Sequence, residues 1–196
     1  MREKELLDAL ETASRLKKNT RHCWTDKDRK ESIADHSWRL ALMAMLLENE
    51  PEFKDVNMNT VIRICLIHDL GEAFTGDIPA FNKTDKDTAA EETIYHQWIS
   101  SFDEADRKEW QSLMDQYNTQ STREGQVCKA LDKLEALISH NESDISTWLP
   151  LEYDLQKTYG QENMAANPYF LSLRKLIDAW TDRKIQEETK NSDQQI

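Results

Sequence analysis

The sequence predicts an all-α protein, on three observations. Glycine and proline number only four each in 196 residues, too few for the turns of a many-stranded β protein. Leu, Ala, Glu, Lys and Gln are plentiful, and these side chains lose little freedom in a helix. Apolar residues also recur at helical spacing through most of the chain. The simplest organisation is one domain with a substantial core. We place it at residues 1–188, with 189–196 as a polar C-terminal tail.

Residues 3–16 carry Leu6, Leu7, Leu10, Ala13 and Leu16 on a helical period. Lys17 and Lys18 close that helix favourably for its dipole. The stretch 19–31 reads as polar and irregular, with Arg21 and Trp24 its conspicuous side chains. Ser32-Ile-Ala-Asp35 resembles a capping box with Asp in place of Glu. It opens a helix that runs to Leu47, stops before Pro51 and carries His36 in its first turns. Asn59 or Thr60 caps a third helix, Val61 to about Phe74, before Gly76 and Pro79 break the pattern. Thr84-Asp-Lys-Asp87 opens a helix through Trp98, and residues 103–117 form a charged amphipathic one. Ser121-Thr-Arg-Glu124 fits a capping box ahead of Val127, Leu131, Leu134 and Ile138. Two more helices are expected over 145–159 and 168–186, with fraying from Glu187.

Composition narrows the function. A formal charge of −12 argues against a nucleic-acid polymer as partner, because a phosphate chain needs a broad basic footprint. A single nucleotide is still allowed, since one Arg or Lys and a metal can hold it locally. The longest apolar run, Leu40–Leu47, is far too short to cross a bilayer, and the charged start Met1–Glu5 is no secretory signal. A cytoplasmic protein without a membrane partner is expected. Cys23, Cys65 and Cys128 are odd in number and widely spaced, which speaks against a disulfide framework. Cys65 reads as a small core residue.

The chain is organised around Cys65-Leu-Ile-His-Asp-Leu-Gly-Glu-Ala-Phe-Thr-Gly-Asp77. His68-Asp69 follows a buried-type run, Ile64–Ile67, where charge is costly unless it is paired or metal-bound. Asp132 likewise interrupts Ala130, Leu131 and Leu134 on a core-facing helix. His36, His68, Asp69 and Asp132 together offer two imidazoles and two carboxylates, a set suited to a hard or borderline divalent cation. Taken singly, each has a plainer reading as a surface or capping residue. Glu72, four residues after His68 and three after Asp69 on the same helix, rises on the same side, near the ion without needing to ligate it. Lys133 could compensate the charge near Asp132 but reads more simply as facing water, and His22, His96 and His140 read as exposed.

These pieces resemble the HD-domain phosphohydrolases, through Ala34-Asp-His-Ser-Trp-Arg39, Ile67-His-Asp-Leu-Gly-Glu72 with Gly76-Asp-Ile-Pro79, and Leu131-Asp-Lys-Leu-Glu135. The likeness is strongest to the 5′-deoxynucleotidase branch and covers roughly residues 5–185. It implies an HD-domain helical bundle in which His36, His68, Asp69 and Asp132 hold one divalent metal ion (Mn, Co, Fe, Mg or Zn). It further implies that Glu72 is the catalytic acid or base, with the proton step left open. Arg21 matches a phosphate-holding Arg, Trp24 a Trp of the sugar pocket, and Asp77 an Asp associated with the sugar hydroxyl. In those nucleotidases the Arg and Trp stand closer together, whereas here His22 and Cys23 intervene. Trp24 equally fits a lid over the core, and Asp77 a turn-former.

The expected reaction is hydrolysis of a (deoxy)nucleoside 5′-monophosphate, with the metal activating water and polarising a phosphoryl oxygen. The alternatives are an HD-type phosphodiesterase or alarmone hydrolase, a non-catalytic metal-binding signalling domain, and a helical interaction protein. Amphipathic surfaces over 103–117 and 168–185 allow a homodimer, which the resemblance also suggests.

Overall fold

A computed structural model of the chain describes residues 2–193. Its helices are α1 (Glu3–Ala13), α2 (Ile33–Leu47), α3 (Met58–Ile67), α4 (Glu72–Thr75), α5 (Asp85–Ile99) and α6 (Glu104–Thr119). They continue with α7 (Arg123–Glu142), α8 (Glu152–Thr158), α9 (Gln161–Met164) and α10 (Pro168–Asp193). The all-α expectation holds, with a single small exception. Residues 19–31, read as irregular, contain an antiparallel hairpin of β1 (Thr20–Asp26) and β2 (Arg29–Ser32). Its register shifts twice between Thr20 and Asp26, so the two-residue alternation that marks a strand in sequence is broken.

Helix α7 is the spine. Val127, Cys128, Ala130, Leu131, Leu134 and Leu137 are buried along it, and α2, α3, α6, α10 and β1 pack around it. Gly125 lets α6 come close: a Cβ there would lie 2.0 Å from the Gln116 carbonyl oxygen. Phe53 and Phe170 meet at 5.2 Å between ring centroids, beneath α10.

Local capping chemistry sets several boundaries. Two of the caps read from sequence form as boxes, Ser32 with Asp35 opening α2 and Thr84 with Asp87 opening α5, whereas the box read at Ser121–Glu124 does not form. Helix α3 is capped by Asn57, two or three residues before the expected Asn59 or Thr60, and α7 by Thr122 accepting from the Gly125 N–H. The stretch expected as one helix over 145–159 is a short 3-10 turn, Ile145–Thr147, followed by α8. Helix α10 runs past residue 188, where we drew the tail, as far as Asp193; residues 194–196 lie outside the described residues.

One difference bears on the site. Helix α3 stops at Ile67 rather than near Phe74. Beyond it the chain tightens, with Leu70 bonding Ile67, Glu72 bonding Asp69 and Ala73 bonding Leu70, each three residues back. The one-turn offset assumed for Glu72 therefore does not apply. Its placement comes from this tight connection, which Asn19 pins by donating from Nδ2 to the Glu72 carbonyl at 2.7 Å.

Candidate active site

Three of the four candidate ligands, His36, His68 and Asp69, come together where α2 meets the end of α3, and Asp132 on α7 adjoins them through His36. His36 sits in the first turns of α2, fully buried, and His68 caps α3. His68 Nε2 lies 3.1 Å from Asp69 Oδ2, and His36 Nε2 lies 3.8 Å from the same oxygen. Asp132 on α7 brings Oδ1 to 3.3 Å from His36 Nε2. The ligand atoms of His36, His68 and Asp69 all fall within 4.8 Å of one another.

The two imidazoles are oriented from behind. His68 Nδ1 donates to the Cys65 carbonyl at 2.9 Å, and His36 Nδ1 donates to Glu135. Both Nε2 atoms are buried and have no hydrogen-bond partner. Buried polar atoms in proteins are almost always satisfied, and a carbonyl or carboxylate behind the far nitrogen is how a metal-binding His is usually held. The residues present thus fit a divalent cation at the two Nε2 atoms and the Asp69 carboxylate, with Asp132 adjoining them beside His36. Without an ion, burial and Arg21 push His36 down, but Glu135 and Asp132 outweigh them and raise it to about 10, so a cation bound at Nε2 has to displace a proton. Burial opposes ionisation of Asp69 and Asp132. His68 and His36 nevertheless keep Asp69 below the usual carboxylate range, while Lys133 and His36 do the same for Asp132.

A second trio, Glu31, His36 and Glu135, also clusters at ligand distance, but its carboxylates are already engaged. Arg21 Nε pairs with Glu31 Oε2 at 3.0 Å, Arg39 Nε donates to Glu135 Oε1 at 2.7 Å, and Ser139 sits between the two acids. This trio is a buried ion network behind His36. Glu135 appears in the sequence motif, but nothing local revealed its partners, which are 96 and 99 residues away.

A cleft of about 210 Å³ opens over the ligand cluster, lined in part by Arg21, Glu72, Asp77, Lys83, Asp132 and Lys133. Arg21, from β1, is mostly buried and sends Nη1 to 3.8 Å from Asp69 Oδ2. Glu72 is 4% exposed; burial and the Asp69 charge push it up to about 9, against Lys83. Lys83 reaches Glu72 at 3.2 Å and Glu91 at 2.6 Å. Asp77 is raised by burial, with Arg21 opposing.

Several sequence expectations change here. Trp24 lines neither this cleft nor its neighbour, and Lys30 Nζ lies over its ring at 5.3 Å. Lys133, expected to face water, lies 3.1 Å from Asp132 Oδ2 and donates to Tyr159 Oη at 2.8 Å. Tyr117 also donates to Asp132, at 2.9 Å. His22, His96 and His140, expected to be exposed, are all at least partly buried; His22 and His140 flank Glu152 on α8.

A model of the HD domain matches residues 13–172. The chain belongs to the HD-domain family. Among its HD-domain relatives, the human protein named 5′-deoxynucleotidase HDDC2 is 34% identical over 144 residues, 71% of this chain and 68% of that one. A Saccharomyces cerevisiae protein, 5′-deoxynucleotidase YGK1, is 33% identical over 131 residues, 63% of this chain and 59% of that one. Among solved structures, a protein from Magnetospirillum magnetotacticum titled a predicted metal-dependent phosphohydrolase superposes with a TM-score of 0.78 at 25% identity. That superposition covers 93% of this chain and 94% of the other. A conserved hypothetical protein from Pyrococcus furiosus gives 0.65 at 28% identity, over 89% and 98%. No helix among the described residues is long and apolar enough to cross a membrane.

Proposed function

We propose that this HD-domain protein is a metal-dependent 5′-nucleotidase releasing phosphate from (deoxy)nucleoside 5′-monophosphates. The observation that carries the reading is the pair of buried imidazoles whose outer nitrogens have no partner, converging with two carboxylates on the floor of a cleft. The relatives named 5′-deoxynucleotidases support the substrate class.

His36, His68, Asp69 and Asp132 hold one divalent ion, from among Mn, Co, Fe, Mg and Zn. When bound, it supplies an activated water and neutralises charge on the phosphoryl oxygens. Arg21 holds the phosphate: it lines the cleft with Nη1 3.8 Å from Asp69 Oδ2, while Nε is anchored on Glu31. Burial and the Asp69 charge raise Glu72 to about 9, towards the protonated carboxyl, and we assign it the general-acid step. As the P–O5′ bond breaks, the Glu72 carboxyl gives its proton to the departing O5′. Lys83 then steadies the carboxylate that remains. Asp77, at the edge of the cleft, accepts from a sugar hydroxyl. We further read the chain as one HD domain over 1–188 with a short polar tail, working in the cytoplasm as a homodimer.

The test is a phosphate-release screen of 5′- and 3′-mononucleotides, ribo and deoxy, with Mn, Co, Mg and Zn. Turnover of 5′-monophosphates that a chelator abolishes is expected. Hydrolysis of cyclic or bis-esters without release of phosphate from any 5′-monophosphate would overturn the reading.

A further inference from the structure

A second recess, about 110 Å³, adjoins the metal-facing cleft and shares Arg21, Asp77, Ala80 and Tyr159 with it. Its wall carries a cluster that the reaction above does not use. His22 Nε2 lies 3.1 Å from Glu152 Oε1, and His140 Nε2 lies 3.4 Å from Glu152 Oε2. The Leu149 N–H donates to Glu152 Oε2 at 2.6 Å and fixes the carboxylate. Both Nε2 atoms are shielded from solvent, yet neither makes a hydrogen bond of good geometry. Phe81 meets His22 edge-on at 5.8 Å, and Trp148 backs His140 at 4.5 Å. Leu137 and Leu155 complete an apolar back wall.

Aromatic rings, an apolar back and a few convergent polar atoms make a pocket for a flat ring bearing hydrogen-bonding edges. Its position identifies the ring. Arg21 stands on the wall common to both recesses, so a phosphate held there has its organic portion within reach of the second one. Asp77, also shared, falls at the junction, where a sugar hydroxyl would pass.

We propose that the second recess seats the nucleoside portion of the substrate, with His22, held by Glu152, as the residue that contacts sugar and base. The inference rests on the nucleotidase reading and deepens it. It also accounts for the displaced Trp24. On β1 the residue directly after Arg21 is His22, and His22 lines the recess, whereas Trp24 lies under Lys30 outside it. Selectivity in this chain therefore falls to an imidazole whose Nε2 is held by Glu152 and whose other ring nitrogen is left to hydrogen-bond the substrate, in place of an indole face.

Two measurements test this on the full chain. The first is the ratio of kcat/KM for dAMP to kcat/KM for p-nitrophenyl phosphate, a monoester with no nucleoside. His22→Ala should lower that ratio about tenfold, the worth of one stacked or bonded ring, and should do so through KM for dAMP. The second is calorimetric titration of metal-stripped protein with deoxyadenosine, whose affinity should fall by a similar factor. His22→Gln, which keeps a hydrogen-bonding atom, should recover part of both losses. If His22→Ala fails to fold, Phe81→Ala, beside His22 in the same recess, should give the same drop in ratio. A ratio within twofold of wild type, or a loss confined to kcat, overturns the inference while the nucleotidase reading stands. Wild-type turnover of p-nitrophenyl phosphate with none of any nucleotide overturns both.

Discussion

Exchange of Glu72 for Gln should remove activity and stabilise the metal-stripped fold, and both effects come from the same burial. The side chain is 4% exposed, its Oε2 has no partner, and its Oε1 meets only Lys83 at 3.2 Å. Burial and the nearby Asp69 raise it from an ordinary 4.5 to about 9. Between those values the unfolded chain has lost this proton and the folded chain still holds it. Stability therefore falls as pH rises through that window. Each pH unit costs at most about 1.4 kcal/mol, so the ceiling between pH 5 and pH 8 is about 4 kcal/mol.

An amide at this position does not titrate, and Lys83 keeps Glu91 as its partner. The advantage of Glu72→Gln over wild type should accordingly be small near pH 5 and grow steadily towards pH 8. Urea unfolding of both proteins in chelator, at single-unit pH intervals, measures the difference directly. In the metal-loaded protein the same variant should keep its metal and lose on the order of a hundredfold or more in turnover. A stability difference that stays flat or reverses with pH would refute the buried, protonated carboxyl. Full activity would refute the acid role.

Two further outcomes probe the supporting shell. Glu135→Gln removes the charge behind His36 and should weaken metal affinity about 10–100-fold without touching a ligand, as read by competition with a chromogenic chelator. Gly160→Ala places a side chain at φ +69° with its Cβ 2.5 Å from Lys133 Cβ; thermal unfolding should show a loss of about 1–3 kcal/mol.

What was legible in the sequence was chemistry carried by neighbours in the chain. The boxes at Ser32–Asp35 and Thr84–Asp87 are bonds between residues three apart, so the pattern states the contact. His68, Asp69 and Asp132 stood out because each places polarity in an apolar run. The hairpin was missed because its irregular register hides the alternation, and because its strands are rich in charge. Lys133, His22 and His140 were misplaced for a different reason. Their partners Tyr159 and Glu152 lie on the connection and helix after α7, and no local pattern announces that α8 folds back over that surface. Glu72 reached the cleft for a reason other than the one inferred. The helix expected to carry it ends at Ile67, and a run of tighter turns carries it there instead.

The charge arrangement explains how a chain of net charge −12 can accept an anionic substrate. The cleft wall sets Arg21, Lys83, Lys129 and Lys133 against Asp69, Glu72, Asp77, Glu91, Glu92 and Asp132. Several of these cations are already committed: Lys83 to Glu72 and Glu91, Lys133 to Asp132, and one edge of Arg21 to Glu31. Without further positive charge, a phosphate dianion entering here would meet a field dominated by carboxylates at low local dielectric. A divalent ion at the proposed site of His36, His68, Asp69 and Asp132 would change that sign at the cleft floor. Neutral Glu72 lowers the acidic count by one more. The raised proton affinity of Glu72 and the orphaned imidazole nitrogens thus serve one end: each removes negative charge from the place where the phosphate has to sit.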